Sequence, residues 1–265
     1  MQTPSAFYRE AGSGPGVLCL HANASSSSQW RSLMDKLAPR FRVVAVDLYG
    51  AGKSPRRPDY LKARLLDEVQ LIEPVLDRLH GDVILIGHSY GAAVALIAAL
   101  NHRDRVRSLI LYEPTMFSLV DAQSPPPNDA DGIREAVKDA LAALVSGNKA
   151  VAAKRFIDYW MGPGTFQGMP ERNQEAIAAS IVDVGAWRDA LLGEPTPLRA
   201  FAELDIPVLY MKGKLSQPSS LAVARLLTAV LPNVAIVEFE KLGHMGPVTH
   251  PDVVNERIER YLADM

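Results

Sequence analysis

The chain has 265 residues, of which 48% are hydrophobic and 22% charged, values near those of ordinary globules that exclude disorder, collagen-like repeats and coiled coil as global descriptions. Lys and Arg total 28 against 30 Asp and Glu, a formal net charge of −2. No run of like charges supplies a basic stripe for phosphate neutralisation, so nucleic acid is excluded as a partner.

Taken in chain order, Met1 to Gly16 carries no apolar h-region, and the longest apolar run, Gly91 to Leu100, is about half a membrane span. The chain therefore reads as soluble and cytoplasmic, without a membrane partner. Gly16 to Leu20 is an apolar run that predicts a strand and buries Cys19, the single cysteine, which can form neither an internal disulfide nor a cysteine metal cluster. A helical pattern over Gln29 to Ala38 leads to a strand at Arg42 to Val46. A second helical pattern, Leu61 to Leu79, precedes the strand Val83 to Ile86. A small-residue helix, Gly91 to Asn101, then leads to the strand Val106 to Tyr112. After the insertion described next, the rhythm resumes with the strand Val208 to Met211, the helix Ser219 to Val230, the strand Ala235 to Phe239 and the helix Asp252 to Leu262. This alternation predicts the α/β class, a mostly parallel central sheet flanked by helices. The strands are nearly all apolar because both faces are covered.

Between Pro114 and Leu204 the alternation stops. Helical patterns at Ile133 to Val145, Ala150 to Met161 and Glu171 to Val182 have no convincing strand between them. Ser124-Pro125-Pro126-Pro127-Asn128-Asp129 at the entrance predicts an exposed connection, since proline lacks the amide donor and fixes φ. The expected organisation is one core, residues 1–114 and 205–265, interrupted by a helical insertion over residues 115–204.

Gly87-His88-Ser89-Tyr90-Gly91, between a strand and a helix, fits the nucleophile-elbow pattern Gly-x-Ser-x-Gly. A sharp turn there needs small flanking residues, and the following helix points its positive end at the reacting oxygen. The competing reading is a serine that merely caps the helix.

At these residues the chain resembles the α/β-hydrolase superfamily. Further features fall in the same order: His21-Ala22-Asn23 is similar to the family's His-Gly-x turn, and Asp47 to Ser54 to its Asp-x-x-Gly-x-Gly-x-Ser loop. Leu242-Gly243-His244-Met245 stands where the family's catalytic histidine sits. The insertion resembles a helical cap, and Pro251 to Leu262 the closing helix. The resemblance implies a serine nucleophile, Ser89, and a base to take its proton, His244. Of the six histidines, His88 points away inside the elbow, while His80, His102 and His250 occupy polar helix ends or loops. The oxyanion hole it implies is the backbone N–H of Tyr90 with that of Ala22 or Asn23. The Asn23 side chain either adds a donor or holds the turn together, and Ser25 to Ser28 are read as capping the next helix.

The acid departs from the pattern. Counting three residues past Gly213 lands on Ser216, and no carboxylate occurs between Met211 and Val237. Some family members place the acid at the end of the preceding strand instead, which here is Glu113, with Asp183 and Asp189 as rivals from the insertion.

His21, Phe117, Trp160 and Trp187 are the expected substrate-binding residues, because a cap over a site presents apolar surface to it. The resemblance thus implies a serine hydrolase that cleaves small hydrophobic esters, thioesters or lactones through an acyl-enzyme, as a monomer or homodimer. The alternatives are a same-fold enzyme of another reaction type (a C–C bond hydrolase, acyltransferase, perhydrolase or lyase) or a non-enzymatic ligand receptor. Haloalkane dehalogenases are similar at His21, Asn23 and Glu113 but use an aspartate followed by tryptophan where this chain has Ser89-Tyr90. No cofactor or metal is expected. His-x-His, His-Glu-x-x-His and cysteine pairs are absent from the sequence, and Gly52-Lys53-Ser54 lacks the earlier glycine of a P-loop, since Asp47 occupies its place.

Overall fold

Strands β1 (Tyr8–Ala11), β2 (Gly16–Leu20), β3 (Arg42–Val46), β4 (Val83–His88), β5 (Val106–Tyr112), β6 (Val208–Gly213) and β7 (Val234–Phe239) form one sheet in the order β1-β3-β2-β4-β5-β6-β7. The computed structural model describes residues 5–57 and 63–265. Met1 to Pro4, at the start of the N-terminal stretch, and Leu61 and Lys62, at the start of an expected helix, lie outside the described residues. Only β1 runs antiparallel, against β3; every other pairing is parallel. Successive side chains of a strand leave opposite faces. Accordingly Leu18 and Leu20 join one buried cluster, with Val83 and Leu85, while Val17 and Cys19 join another, with Ile84 and Ile86. The uninterrupted apolar runs follow from this two-sided burial, and burial pushes the Cys19 thiol up out of its ordinary range.

The helices are α1 (Arg31–Leu37), α2 (Leu65–Arg78), α3 (Tyr90–Asn101), α4 (Phe117–Gln123), α5 (Asp131–Val145), α6 (Lys149–Met161), α7 (Thr165–Gly168), α8 (Glu171–Ser180), α9 (Val184–Leu192), α10 (Pro218–Val230), α11 (Gly246–Thr249) and α12 (Pro251–Ala263). A short 3-10 turn, Ser27–Trp30, precedes α1, and Ser26 Oγ caps it by accepting the Ser28 N–H. The strand β1 is not signalled by an apolar run, because its Tyr-Arg-Glu-Ala sequence lies at a sheet edge and is half-buried or exposed. Between β5 and β6, residues 115–204 carry α4 to α9 and, among the described residues, no strand. These two strands pair directly, Leu109 beside Val208, so the excursion leaves the sheet and returns to the neighbouring position. Its α5 buries Ile133, Ala136, Val137 and Ala140, the spacing of a helix with one covered face. By contrast α8 buries none of its residues, and Ser124 to Pro127 are exposed.

Candidate active site

Parallel register brings the chemistry to one edge of the sheet. Leu20 lies beside Gly87, and Gly87 beside Leu111, so the first residues beyond these strands gather at their carboxyl ends. In open α/β sheets, ligands bind in the crevice outside this edge.

At the end of β4 the chain turns sharply into α3. Ser89 holds φ 57° and ψ −116°, a left-handed backbone that costs a non-glycine residue about 1–3 kcal/mol. The two elbow glycines permit the turn, since a Cβ on Gly87 would meet Ala92 Cα at 2.5 Å and one on Gly91 would strike the Leu20 carbonyl. Ser89 makes no side-chain cap bond to α3. Its hydroxyl instead donates to His244 Nε2 at 2.9 Å, and the opposite ring nitrogen, Nδ1–H, donates to Glu113 Oε2 at 2.7 Å. All three residues are buried, at 5%, 1% and 0% exposure for Ser89, His244 and Glu113.

Glu113 follows β5 with a backbone φ of 45°, so two of the three residues sit in a strained conformation. Its second oxygen, Oε1, accepts the Gly213 N–H at 2.7 Å and the Ser216 hydroxyl at 2.5 Å. Ser216, three residues past Gly213 where the family pattern has a carboxylate, thus supports the carboxylate that reaches in from the adjacent strand. Ser220 Oγ adds a longer contact to His244 Nδ1, 3.2 Å. Of the rival acids, Asp189 accepts from the Arg188 guanidinium, and Asp183 lies against Gly50, where burial raises its carboxyl above the usual range.

The turn after β2 is organised by Gln29. Its Oε1 accepts the Ala22 N–H at 3.1 Å, while its Nε2 donates to His88 Nδ1 at 3.1 Å. His88 Nε2–H in turn donates to the His244 carbonyl at 2.8 Å. Burial and the neighbouring His244 hold the His88 ring well below the ordinary imidazole range, so it stays neutral and keeps one donor and one acceptor. The Ala22 amide is therefore occupied. Among the described residues no acceptor takes the N–H of Asn23 or of Tyr90. Gln29 was not singled out by sequence reasoning, because a lone glutamine carries no motif.

His21 does not line the cavity at Ser89. Its Nδ1–H donates to the Ala22 carbonyl and its Nε2 accepts the Leu48 N–H at 3.0 Å, which commits both ring nitrogens to backbone. The loop beyond it is fastened by Asp47, whose two carboxylate oxygens accept the N–H groups of Ser27 and Lys53. Gly52 is required there, since a Cβ would overlap that carboxylate.

Tyr90 is anchored from below. Its hydroxyl donates to Glu68 Oε1 at 3.1 Å, and Glu68 also takes the Tyr49 N–H and an Arg57 N–H at 2.8 Å. Burial raises the Glu68 carboxyl and the Arg57 charge opposes that shift. Arg57→Met leaves a buried carboxylate without its cation, so stability falls by about 3 kcal/mol at neutral pH. Urea denaturation measures this, and the loss shrinks in acid as Glu68 takes up a proton.

Above Ser89 and His244 lies a cavity of about 40 Å³ whose walls include Phe117, Ile133, Val137, Trp160, Trp187 and Leu191. Asn23, Ile157 and Met245 are shared with an outer groove of about 750 Å³ that also touches Ser25, Ser28 and Arg31. Trp160 also lies face to face with the His244 ring, centroids 4.0 Å apart and planes inclined by 24°. Among the described residues, no cluster of three His, Cys, Asp or Glu side chains could hold a metal. No helix among them is long and apolar enough to cross a membrane.

The profile of the "Alpha/beta hydrolase family" matches residues 17–257. The pimeloyl-acyl-carrier protein methyl ester esterase of Aeromonas hydrophila is 28% identical over 263 residues, which cover 95% of this chain and 96% of that relative. A haloalkane dehalogenase of Mesorhizobium japonicum is 41% identical over 108 residues, 40% of this chain and 34% of its own. A solved alpha/beta hydrolase from Sphaerobacter thermophilus aligns with a TM-score of 0.73 at 25% identity, covering 94% of this chain and 95% of that one.

Proposed function

Since the chain belongs to the alpha/beta hydrolase family, we propose that it is a serine hydrolase that cleaves small hydrophobic carboxylic esters through an acyl-enzyme. The observation that carries this reading is the unbroken hydrogen-bonded line Ser89, His244, Glu113. The esterase activity named for the relative covering 96% of its own length supports it. Likeness to a haloalkane dehalogenase over 40% of the chain does not favour dehalogenation, because Ser89 stands where those enzymes use an aspartate.

In this reading Ser89 Oγ attacks the ester carbonyl as its proton passes to His244 Nε2, and Glu113 holds Nδ1–H so that Nε2 is free to accept. The negative charge that develops on the carbonyl oxygen is met by the N–H groups of Tyr90 and Asn23, neither of which is committed to an acceptor among the described residues. Collapse expels the alcohol, which takes the proton back from His244. Water then attacks the acyl-enzyme by the same route. Residues 115–204 act as a cap over the core formed by 1–114 and 205–265, excluding water from the apolar cavity.

The cavity limits the group it admits. With about 40 Å³ enclosed over Ser89, the cavity suits the smaller half of an ester, and the larger half extends into the outer groove. The test is a p-nitrophenyl ester series run with a fluorophosphonate probe whose attachment is mapped by mass spectrometry. Acetate and butyrate should turn over faster than octanoate, with the label on Ser89. No hydrolysis at any chain length together with an unlabelled Ser89 would sink the reading.

A further inference from the structure

Proton transfer from Ser89 turns His244 into a cation, so the surroundings of its ring faces bear on the barrier as much as the partners at its two nitrogens. Those nitrogens are committed to Ser89 and Glu113. One face is covered by the Trp160 indole, centroids 4.0 Å apart and planes inclined by 24°. The His88 ring stands 5.4 Å from it at a tilt of 46°. His88 is neutral, for the reason given above. Of the charged residues, Glu113 at the end of β5 accepts the His244 Nδ1–H, and Arg188 on α9 lines the same cavity and bonds to Asp189.

The indole is held in this position. The adjacent Tyr159 is tied to the start of α10 at two points, its carbonyl accepting from Nε2 of the N-cap residue Gln217 at 2.6 Å and its hydroxyl sharing a hydrogen bond with Ser219 Oγ at 2.8 Å. The same helix places Ser220 against His244. Phe117 stacks near Trp160 and Phe156 meets it edge-on, so the indole, only 8% exposed, has little freedom to swing away.

We propose that Trp160 is a positioning residue that stabilises the imidazolium form of His244, in addition to walling the cavity. This rests on the reading of Ser89 and His244 as nucleophile and base. An aromatic face attracts a cation set against it, most strongly where water is excluded, and tryptophan does so best. The attraction is absent while the imidazole is neutral and appears when it takes the serine proton, so it lowers the barrier rather than merely tightening the ground state.

The experiment measures the second-order rate of fluorophosphonate labelling at Ser89 from pH 5 to 9 for the wild type, Trp160→Leu and Trp160→Phe. It needs no knowledge of the natural ester. Trp160→Leu should label about tenfold more slowly at its pH plateau, and Trp160→Phe should recover most of that loss. The acid limb of the profile should move to lower pH in Trp160→Leu, because the charged ring has lost a favourable contact. If Trp160 were only a cover, its removal would admit water, favour the charged ring and move the limb to higher pH. That opposite shift, or labelling of Trp160→Leu as fast as wild type, overturns the proposal. Wild-type protein that does not label at all overturns the nucleophile reading on which it stands, a separate outcome.

Discussion

Glu113→Gln is expected to lower kcat/KM for a p-nitrophenyl ester by about a thousandfold to ten-thousandfold, the scale seen when a triad acid becomes an amide, while Ser216→Ala costs less than about tenfold. The difference comes from what each oxygen of Glu113 touches. Oε1 accepts from Gly213 N–H and Ser216 Oγ–H, so the carbonyl oxygen of a glutamine stays on that side and its NH2 turns toward His244. An NH2 group there donates to Nδ1, forcing the imidazole proton onto Nε2, the atom that receives the serine proton in the proposed mechanism. The fold is retained and the ring carries the wrong tautomer. Ser216→Ala removes one of two donors to Oε1 and leaves Oε2 against Nδ1–H. Steady-state kinetics on both variants, with thermal unfolding to verify the fold, check the prediction; equal and small losses would mean that another carboxylate orients His244.

Ser89→Ala is expected to abolish fluorophosphonate labelling and to reduce kcat by at least about ten-thousandfold, leaving only the residual rate that donors and binding provide without a nucleophile. The backbone donors at Tyr90 and Asn23 remain in place, and the cavity loses a single oxygen atom. Binding should therefore survive, and an ester that the variant cannot turn over should raise its unfolding temperature in proportion to the logarithm of its concentration. This variant also separates the enzyme from a non-enzymatic ligand receptor. A receptor would show wild-type turnover as slow as that of Ser89→Ala, whereas an enzyme shows a large gap between them.

The parts of this arrangement that could be read from sequence are those whose physical cause is local. Five consecutive residues, Gly87 to Gly91, carry both the need for small side chains and the strand-to-helix setting, so the elbow is visible without tertiary information. Glu113 emerged from an absence, since no carboxylate follows β6 before Glu238; its contact with His244 joins residues 131 positions apart. The choice between the Ala22 and Asn23 amides was open because it depends on Gln29, whose side chain occupies one of them. His21 was expected at the substrate, and its two ring nitrogens turn out to hold the backbone of Ala22 and Leu48. The face-to-face packing of Trp160 on His244 had no sequence signal, since tryptophan on a helix reads equally as core. In the sheet, β1 carries no sequence signal because an edge strand with half-exposed polar residues has no apolar run.

The left-handed backbones of Ser89 and Glu113, φ 57° and 45°, also bear on how the protein can be engineered. Glycine would relax both positions, at the cost of the hydroxyl and carboxylate that they hold. A library screened for thermal tolerance alone would thus be drawn toward glycine at position 89, whereas glycine at 113 would also empty a buried volume and strand the donors of Gly213, Ser216 and His244. Directed evolution of this scaffold needs the Ser89 codon frozen, or a turnover screen run alongside the heat step, with stabilising changes sought in loops far from the sheet's carboxyl edge.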